Sequence, residues 1–489
     1  MRFARAILTV AGWLCLAATG ATQSTTPAPA AQPPSPAQPA PTTASAQTPP
    51  AQPPHNPGQE IAGAKAEGAS IDVGPAQLRI GGYLGVTGLY RSTNSGGGPG
   101  TSFATIPFDD TLQGNVSETR LTAQASRISI RVDAPFPEAR FTRIAGYFEM
   151  DFNGATSGNI AVTSTSAGFR LRQAFAEIHY GETISLTAGQ AFSLMTPAKD
   201  QLSPWPSDVE ISQAVDTNYV AGLVWERVPQ IRIAWRPSTA FNWAVSVENP
   251  EQQIGSGLVT TPACCSPDIL LQYNTGTEAL LVPNLMPDVS TRVALNPTRA
   301  FHVDVGGVWR VFRHTLAPYD EQKRAPGGGV SANVRLTPAR STRLIGQLAH
   351  GSGLGRAVGG LAPDVAFRPD GSIAPIPVTA WVAGIEQAVT ARLSLSGYYS
   401  GTTSDSTYFV DTDDSYIGFG YPGSSRDVNK RISELTATAW YLAVRTENRG
   451  SAQVGVQTSW LRREPWSAGS GPSSADAFLV FVQMRYNLP

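Results

Sequence analysis

The sequence predicts an all-β protein, a transmembrane antiparallel β-barrel, and three observations carry that prediction. Apolar and polar residues alternate along many short segments, short turns alternate with long polar loops, and aromatic residues stand near the segment ends. Successive side chains of a strand point to opposite faces, so the alternation indicates strands with one apolar and one polar wall. Short turns at one rim and long loops at the other are typical of an outer-membrane barrel rather than of a soluble sandwich.

The N-terminal part of the chain lies outside the predicted barrel. Arg2 and Arg5, followed by an apolar run over 7–18 and small residues, predict a secretory signal peptide over 1–21. Residues 22–75 are rich in Pro, Ala and Gln, a composition that cannot bury an apolar core. We therefore expect an exported chain in which 22–75 is a disordered periplasmic tether.

The predicted barrel covers residues 76–489. In the segment SRISIRVD, Ile128 and Ile130 would face lipid, while Arg127 and Arg131 would face a wet lumen. Seven short turns and eight long loops give 16 strands. The long loops are predicted at 92–124, 153–168, 196–226, 250–287, 316–328, 355–378, 404–430 and 465–475.

Two segments break the period-two pattern. The apolar residues of 170–180 change parity along the segment, and those of 434–444 are ambiguous. An extra residue in one strand of a pair produces such a change, so we predict a β-bulge in either segment.

Composition excludes several classes of protein. No later segment contains the roughly 18 consecutive apolar residues of a membrane helix, and a formal net charge of −1 argues against nucleic-acid binding. The chain has 32 Arg against 4 Lys, which fits either a GC-rich genome or a need for groups that bind anions.

Cys264 and Cys265 form no zinc site, which leaves a vicinal disulfide, a bridge to another chain or an incidental pair. We expect no metal and no cofactor.

Motifs that suggest catalysis are weak in this chain. GSGLGRAVGG (351–360) resembles a phosphate loop only in its glycines, since it lacks GxGxxG spacing and a following helix. We predict a flexible external loop there. His350 and Ser352 have no third residue to orient them, so we expect a lone lumenal histidine and no enzymatic activity.

Inward-facing arginines are the candidate solute-selecting residues. Strand parity points Arg127, Arg131, Arg143 and Arg232 to the lumen, with Glu149 and Asp151 as acidic partners. Arg170 and Arg172 join them if their strand begins in the matching register. Neighbouring strands lie about 4.8 Å apart, so these side chains could stack as a ladder. Arginine rings select anions, because charged hydrogen bonds repay the partial dehydration of a carboxylate. The alternative is that these arginines form salt bridges with the lumenal carboxylates and only stabilise the barrel wall.

Several segments resemble the DcaP-like family of trimeric outer-membrane porins, most clearly over residues 78–250: IGGYLGVTGLY, AGYFEMDFNG, FRLRQAFAEI, LTAGQAFSLM, RVPQIRIAWRP and WAVSVENPE. The resemblance implies a sixteen-stranded trimer that passes small anions such as dicarboxylates. It implies pore-lining roles for Arg127, Arg131, Arg143, Arg170 and Arg172. Two features depart from the family. A proline-rich tether replaces the periplasmic coiled coil, and the chain ends Tyr486-Asn487-Leu488-Pro489 rather than in Phe.

The third long loop is the candidate constriction, because the loop at this place folds inward in sixteen-stranded porins. Its three prolines would stiffen it, and five charged residues within it together carry a charge of −3: Lys199, Asp200, Asp208, Glu210 and Asp216. An acidic loop opposite an arginine wall would create a transverse field that orients dipolar solutes. The alternative is an ordinary surface loop.

The expected function is passive diffusion of small polar or anionic solutes through a trimeric pore set in outer-membrane lipid. Two alternatives stay open. One is an envelope anchor whose proline-rich segment is the working part. The other is a phosphate-selective porin, although that type relies on lysines, which are scarce here.

Overall fold

The computed structural model describes residues 70–96, 98–136, 140–155, 165–276, 282–446 and 449–489. All of them belong to one unit of the chain, residues 52–489. The predicted signal peptide and residues 22–69 of the predicted tether lie outside the described residues. Within the described ranges, no helix is long and apolar enough to span a membrane.

Strands and the loops between them make up most of the described chain, which also has one short α-helix, α1 (Ser266–Leu270), and three single-turn 3-10 helices. The strands are β1 (Ser70–Val73), β2 (Ala76–Arg91), β3 (Glu118–Thr122), β4 (Arg127–Pro135), β5 (Arg143–Asp151), β6 (Arg170–Tyr180), β7 (Ile184–Phe192), β8 (Arg227–Trp235), β9 (Phe241–Glu248), β10 (Asp288–Thr298), β11 (Phe301–Leu316), β12 (Glu321–Ala339), β13 (Thr342–Ser352), β14 (Val365–Phe367), β15 (Ile373–Pro375), β16 (Pro377–Ala388), β17 (Leu393–Ser404), β18 (Thr407–Val410), β19 (Tyr416–Phe419), β20 (Asn429–Thr446), β21 (Gly450–Pro465) and β22 (Ala475–Asn487).

The strands close into an antiparallel barrel with sixteen wall positions in the described chain. Each wall strand pairs with its neighbours in sequence, and β22 returns to pair with β2. Strands β3 and β4 both pair with β2 and share one wall position. The pairs β14–β15 and β18–β19 are small hairpins within two of the long loops. The predicted fold class and strand number are therefore confirmed.

The C-terminal strand completes the closure despite its unusual ending. Its register with β2 runs from Asn487 opposite Tyr83 to Leu479 opposite Arg91. The Leu488 N–H then donates to the Gly82 carbonyl at 2.9 Å. The pairing of β22 with β2 therefore extends to the last residues of the strand.

Side chains alternate across the wall as the period-two pattern requires. In β11, Val305 and Trp309 are 50% and 48% exposed on the outer face. Their neighbours Asp304 and Arg310 are buried on the inner face. An apolar outer face and a polar inner face suit a barrel surrounded by lipid.

Three connections differ from the sequence pattern. The predicted long loop at 316–328 is wrong, because β11 and β12 stay paired up to Leu316 opposite Glu321 and only 317–320 remain as a turn. The short turn between β16 and β17 spans 389–392, a turn that the sequence pattern counted but did not locate. The end of the predicted tether, residues 70–73, forms β1, which folds back on β2 through a turn where Gly74 adopts a positive φ of 63°.

The glycine-rich segment 351–360 is packed rather than a flexible external loop. Leu354 and Val358 are each only 1% exposed, inside an apolar core. The expectation of a lumenal His350 is also wrong. Its side chain is exposed on the outer-face parity of β13, beside Leu348, and hydrogen-bonds Thr379 at 2.9 Å.

The main apolar core lies inside the loop-bearing half of the barrel. It combines wall residues with residues from five loops, among them Phe103, Phe108, Met195, Ile269, Phe312, Phe367, Phe419 and Trp440. Cys264 and Cys265, just before α1, are bonded to each other as a vicinal disulfide, the first of the three alternatives. The long loops therefore pack together and fill part of the lumen.

Candidate functional site

Strands β4, β5 and β6 bring the predicted arginines together on one inner surface. We call Arg127, Arg131, Arg143, Arg170 and Arg172 the arginine wall. Asp151 of β5 stands opposite Arg127 on one side and Arg170 on the other. Alternation within each strand and lateral spacing of about 4.8 Å between strands place these charges beside one another.

A bulge in β6 decides where Arg172 points. Glu149 pairs with Gln173 and Met150 pairs with Leu171, so Arg172 is the extra residue. Arg172 is buried on the inner face, whereas Leu171 is 46% exposed on the outer face. Bulges re-aim side chains in this way. The predicted bulge at 170–180 is therefore found, and β20 carries a second register shift at Leu442/Val444.

In the part of the arginine wall nearest the long loops, three guanidinium groups share two carboxylates. Arg172 donates to Glu149 at 2.5 Å and to Asp151 at 3.0 Å. Arg170 forms a two-pronged pair with Asp151 at 3.0 and 2.7 Å. Arg127 lies 3.7 Å from Glu149. Shared carboxylates leave positive charge that is not fully neutralised.

In the part of the wall nearest the short turns, two guanidinium groups share one carboxylate, Asp133. Arg131 grips Asp133 through Nε and through Nη2, the latter at 2.9 Å, and its guanidinium carbon lies 4.2 Å from the centre of the Trp205 ring. Arg143 lies 3.8 Å from Asp133 and 2.8 Å from a ring nitrogen of His179. Across the wall, five guanidinium groups face three carboxylates.

The loop 193–226 lies on the inner side of the barrel and reaches strands far from β7 and β8. The Gln457 side chain accepts from the N–H groups of Val215 at 2.5 Å and Asp216 at 2.9 Å. The Trp440 indole donates to the Gln213 carbonyl at 2.8 Å. These bonds join the loop to β20 and β21, across the lumen from β6.

The charged residues predicted for this loop mostly hold it in place. The Asp208 carboxylate accepts backbone N–H groups of Asp200, Gln201 and Ser203, and Asp216 accepts those of Thr101 and Asn218. Burial raises the pKa of both carboxyl groups. The loop acids are thus engaged locally rather than aimed at the arginine wall.

Lys199, Asp200 and Glu210 form a second anchor at β12. Arg335 donates to Glu210 at 2.7 Å and to Asp200 at 2.9 Å. Burial lowers the pKa of Lys199, and the negative charge of Glu210 opposes that shift. Arg232, predicted to line the lumen, is 3% exposed and donates to the Phe192 and Leu202 carbonyls. Its role is to fasten the loop.

Tyr219 and Arg227 are two residues that the sequence reasoning missed. Tyr219 adopts a φ of 67°, a strained conformation for a side chain of this size. Burial opposes ionisation of its hydroxyl, but the positive charges of Arg172, Arg127 and Arg227 lower the pKa of Tyr219 below its usual value. Trp225 packs edge-on against the Tyr219 ring at 5.1 Å.

Arg227 differs from the wall arginines in its surroundings. Its guanidinium lies over the rings of Trp225 at 5.3 Å and Phe192 at 5.8 Å. Its Nη1 atom is buried without a hydrogen-bond partner among the described residues. Arg227 is the first residue of β8 and follows loop 193–226 directly. Tyr219 lies inside that loop, where no alternating pattern could have revealed it.

Comparison with known proteins found similar solved structures. The outer membrane channel DcaP of Acinetobacter baumannii matches at a TM-score of 0.59 and 15% identity, over 88% of this chain and 100% of that one. An anion-selective porin from Comamonas acidovorans matches at 0.48 and 9% identity, over 84% and 100%. Salmonella typhi OmpF matches at 0.45 and 11% identity, over 86% and 100%. No protein-family model and no curated protein sequence match the chain.

The fold therefore defines a class: a sixteen-stranded antiparallel β-barrel of the architecture found in the DcaP channel. The structural match to DcaP agrees with the resemblance of residues 78–250 to DcaP-like sequences. At 15% identity the match establishes the shared fold, while the solute and the assembly are matters for proposal.

Proposed function

We propose that this protein is a passive diffusion porin for small polar solutes that prefers anions such as dicarboxylates. The observation that carries the proposal is the surplus of positive charge on β4–β6, where five guanidinium groups share three carboxylates. A partly dehydrated carboxylate gains paired, charged hydrogen bonds on such a surface. No catalytic arrangement enters this proposal.

Exposure separates the arginines that can meet a solute from those that cannot. The side chains of Arg131, Arg143 and Arg170 are 31%, 38% and 36% exposed, so each keeps N–H groups available to the lumen. Arg172 is 3% exposed and acts on solutes only through its charge. The anion path that we propose therefore runs along Arg131, Arg143 and Arg170.

Partial neutralisation limits the expected selectivity. Each wall arginine lies within 4 Å of a carboxylate of the same wall, so we expect a modest preference rather than exclusion of cations. The apolar core formed by the loops narrows the lumen, which favours small solutes. A phosphate-selective porin would draw on lysines, and the chain has four.

We further propose that the protein is a homotrimer in the outer membrane, with residues 22–75 in the periplasm. The chain termini of a barrel with an even strand number emerge on the same side, and the short turns share that rim. Outer-membrane lipid would surround the apolar outer face, and nucleic acid has no part in this function.

A planar bilayer measurement tests the proposal. Purified protein in a salt gradient should give stable ion conductance with a reversal potential on the anion side. A pore closed to ions would instead support the envelope anchor. Deleting residues 22–60 should leave conductance unchanged, since the proposed function resides in the barrel.

A further inference from the structure

Two arginines face each other on the outer surface of the β11–β12 hairpin. Arg313 and Arg324 are directly opposed cross-strand partners. They follow the parity of the outward residues Trp309 and Val330, which are 48% and 56% exposed. Like charges in directly opposed positions repel and destabilise a strand pair. This pair therefore needs an explanation.

The height of the pair on the wall identifies its surroundings. The outward positions of β11 from 301 to 311 and of β12 from 326 to 336 carry no charge: Phe301, Val303, Val305, Gly307, Trp309 and Val311, with Pro326, Gly328, Val330, Ala332, Val334 and Leu336. Each row spans eleven residues, which matches the ~9–11 residues that a tilted strand needs to cross the hydrocarbon. Arg313 and Arg324 are the first polar outward residues beyond that band, at the level of the lipid headgroups.

The hydrogen-bonding capacity of the pair is largely unused. Arg313 donates to the Pro283 carbonyl at 2.9 Å, and its Nε is buried without a partner among the described residues. Arg324 donates to Gln322 at 2.7 Å. Asp268 accepts from the backbone of Ala317 at the hairpin tip, not from either guanidinium.

Other rim arginines on the outer face are satisfied differently. Arg462 of β21 forms a two-pronged pair with Asp476 at 2.8 and 3.0 Å. Arg431 of β20 donates to the Tyr399 hydroxyl at 3.1 Å and lies over the Trp381 ring. In the described chain, Arg313 and Arg324 have no ion-pair partner of this kind.

We propose that Arg313 and Arg324 form a binding site for the phosphate group of a lipid in the membrane leaflet at the loop-bearing rim. A phosphate between the two guanidinium groups would convert their repulsion into two charge-assisted pairs. Thr315 and Gln322, the next cross-strand pair on the same face, add a hydroxyl and an amide as neutral donors. The acyl chains would lie along the apolar rows below.

Native mass spectrometry of the full-length protein tests the site. The protein is exposed to mixed micelles of phosphatidylcholine and phosphatidic acid, a lipid with a phosphate monoester. Wild type should retain phosphatidic acid preferentially. Arg313→Gln/Arg324→Gln should lower that preference about tenfold or more, the effect of losing one charge-assisted hydrogen bond. Heat-modifiable gel mobility checks that each variant is folded.

A charge-matched control uses the opposite rim of the same strands. Arg299 and Arg340 are exposed in the two short turns that flank β11 and β12. Arg299→Gln/Arg340→Gln should keep the lipid preference. An equal loss in this control would overturn the site, because any rim arginine would then suffice. Displacement of the lipid by excess inorganic phosphate would also overturn the proposal, because it would show that Arg313 and Arg324 bind free phosphate rather than a lipid.

Discussion

Arg172 donates to Glu149 at 2.5 Å and to Asp151 at 3.0 Å, so that one buried guanidinium holds two carboxylates of the neighbouring strand. The β6 bulge makes this contact possible, because it turns Arg172 inward beside Gln173. Arg170 meets Asp151 from a more exposed position. The arginine wall thus combines a buried residue that stabilises the wall with exposed residues that can meet solutes.

Replacing Arg172 should destabilise the barrel more than replacing Arg170. Arg172→Gln leaves Glu149 and Asp151 short of a partner in a buried site, which costs about 3–5 kcal/mol. Arg170→Gln should cost less, because its side chain is 36% exposed and Asp151 keeps Arg172. Urea unfolding in lipid vesicles measures the difference. Equal losses would contradict the division between buried and exposed arginines.

Replacing Arg131 should change ion selectivity through charge rather than pore width. Arg131→Gln removes the hydrogen-bonded partner of Asp133 and leaves Arg143 at 3.8 Å, so permeability should shift towards cations. The shift should be larger in 0.01 M than in 1 M salt, since the Debye length falls from ~30 Å to ~3 Å. Reversal potentials at both salts, with succinate and a neutral sugar as test solutes, measure it.

A double variant separates charge from width. Arg131→Gln/Asp133→Asn restores the local net charge while keeping the shortened side chain, so the reversal potential should return towards wild type. Equal acceleration of succinate and sugar, with unchanged reversal potentials in both variants, would show that the arginines only brace the wall.

Gln457 should control the mobility of loop 193–226. Gln457→Ala removes the acceptor for the N–H groups of Val215 and Asp216, at a cost of about 1–3 kcal/mol for buried groups left unpaired. Amide exchange at both residues should accelerate, and single-channel current should become noisier. Thr458→Ala, at the next position on the opposite face of β21, should change neither measurement. Slow exchange in Gln457→Ala would argue against this anchor.

The lipid-facing assignment of Ile130 gives a direct test of strand parity. Ile130 is 36% exposed on the outer face of β4. Ile130→Arg should cost ~2–4 kcal/mol near the bilayer midplane and less near an interface. Ile130→Phe should be tolerated, because lipid accepts an apolar ring. Normal assembly of the arginine variant, measured as heat-resistant folded barrel, would invert the assigned parity.

Local sequence was sufficient for the wall of the barrel. The side of a strand on which Ile130 or Trp309 lies follows from backbone geometry alone, because successive side chains point to opposite faces. The strand number followed from counting alternating segments and their connections. In 321–328, polar residues and glycines obscure the alternation. The sequence pattern therefore predicted a loop there, whereas the structure has a paired strand.

The interior of the lumen was decided by tertiary structure. Val215 and Gln457 are 242 positions apart, so no local pattern could show that one holds the other. Arg172 points inward only because β6 takes up an extra residue against β5. The sequence by itself determined which residues could face water or lipid, since that choice depends on neighbours in the chain. The partners of the inward charges depend on the closure of the barrel, which brings distant strands within hydrogen-bonding distance.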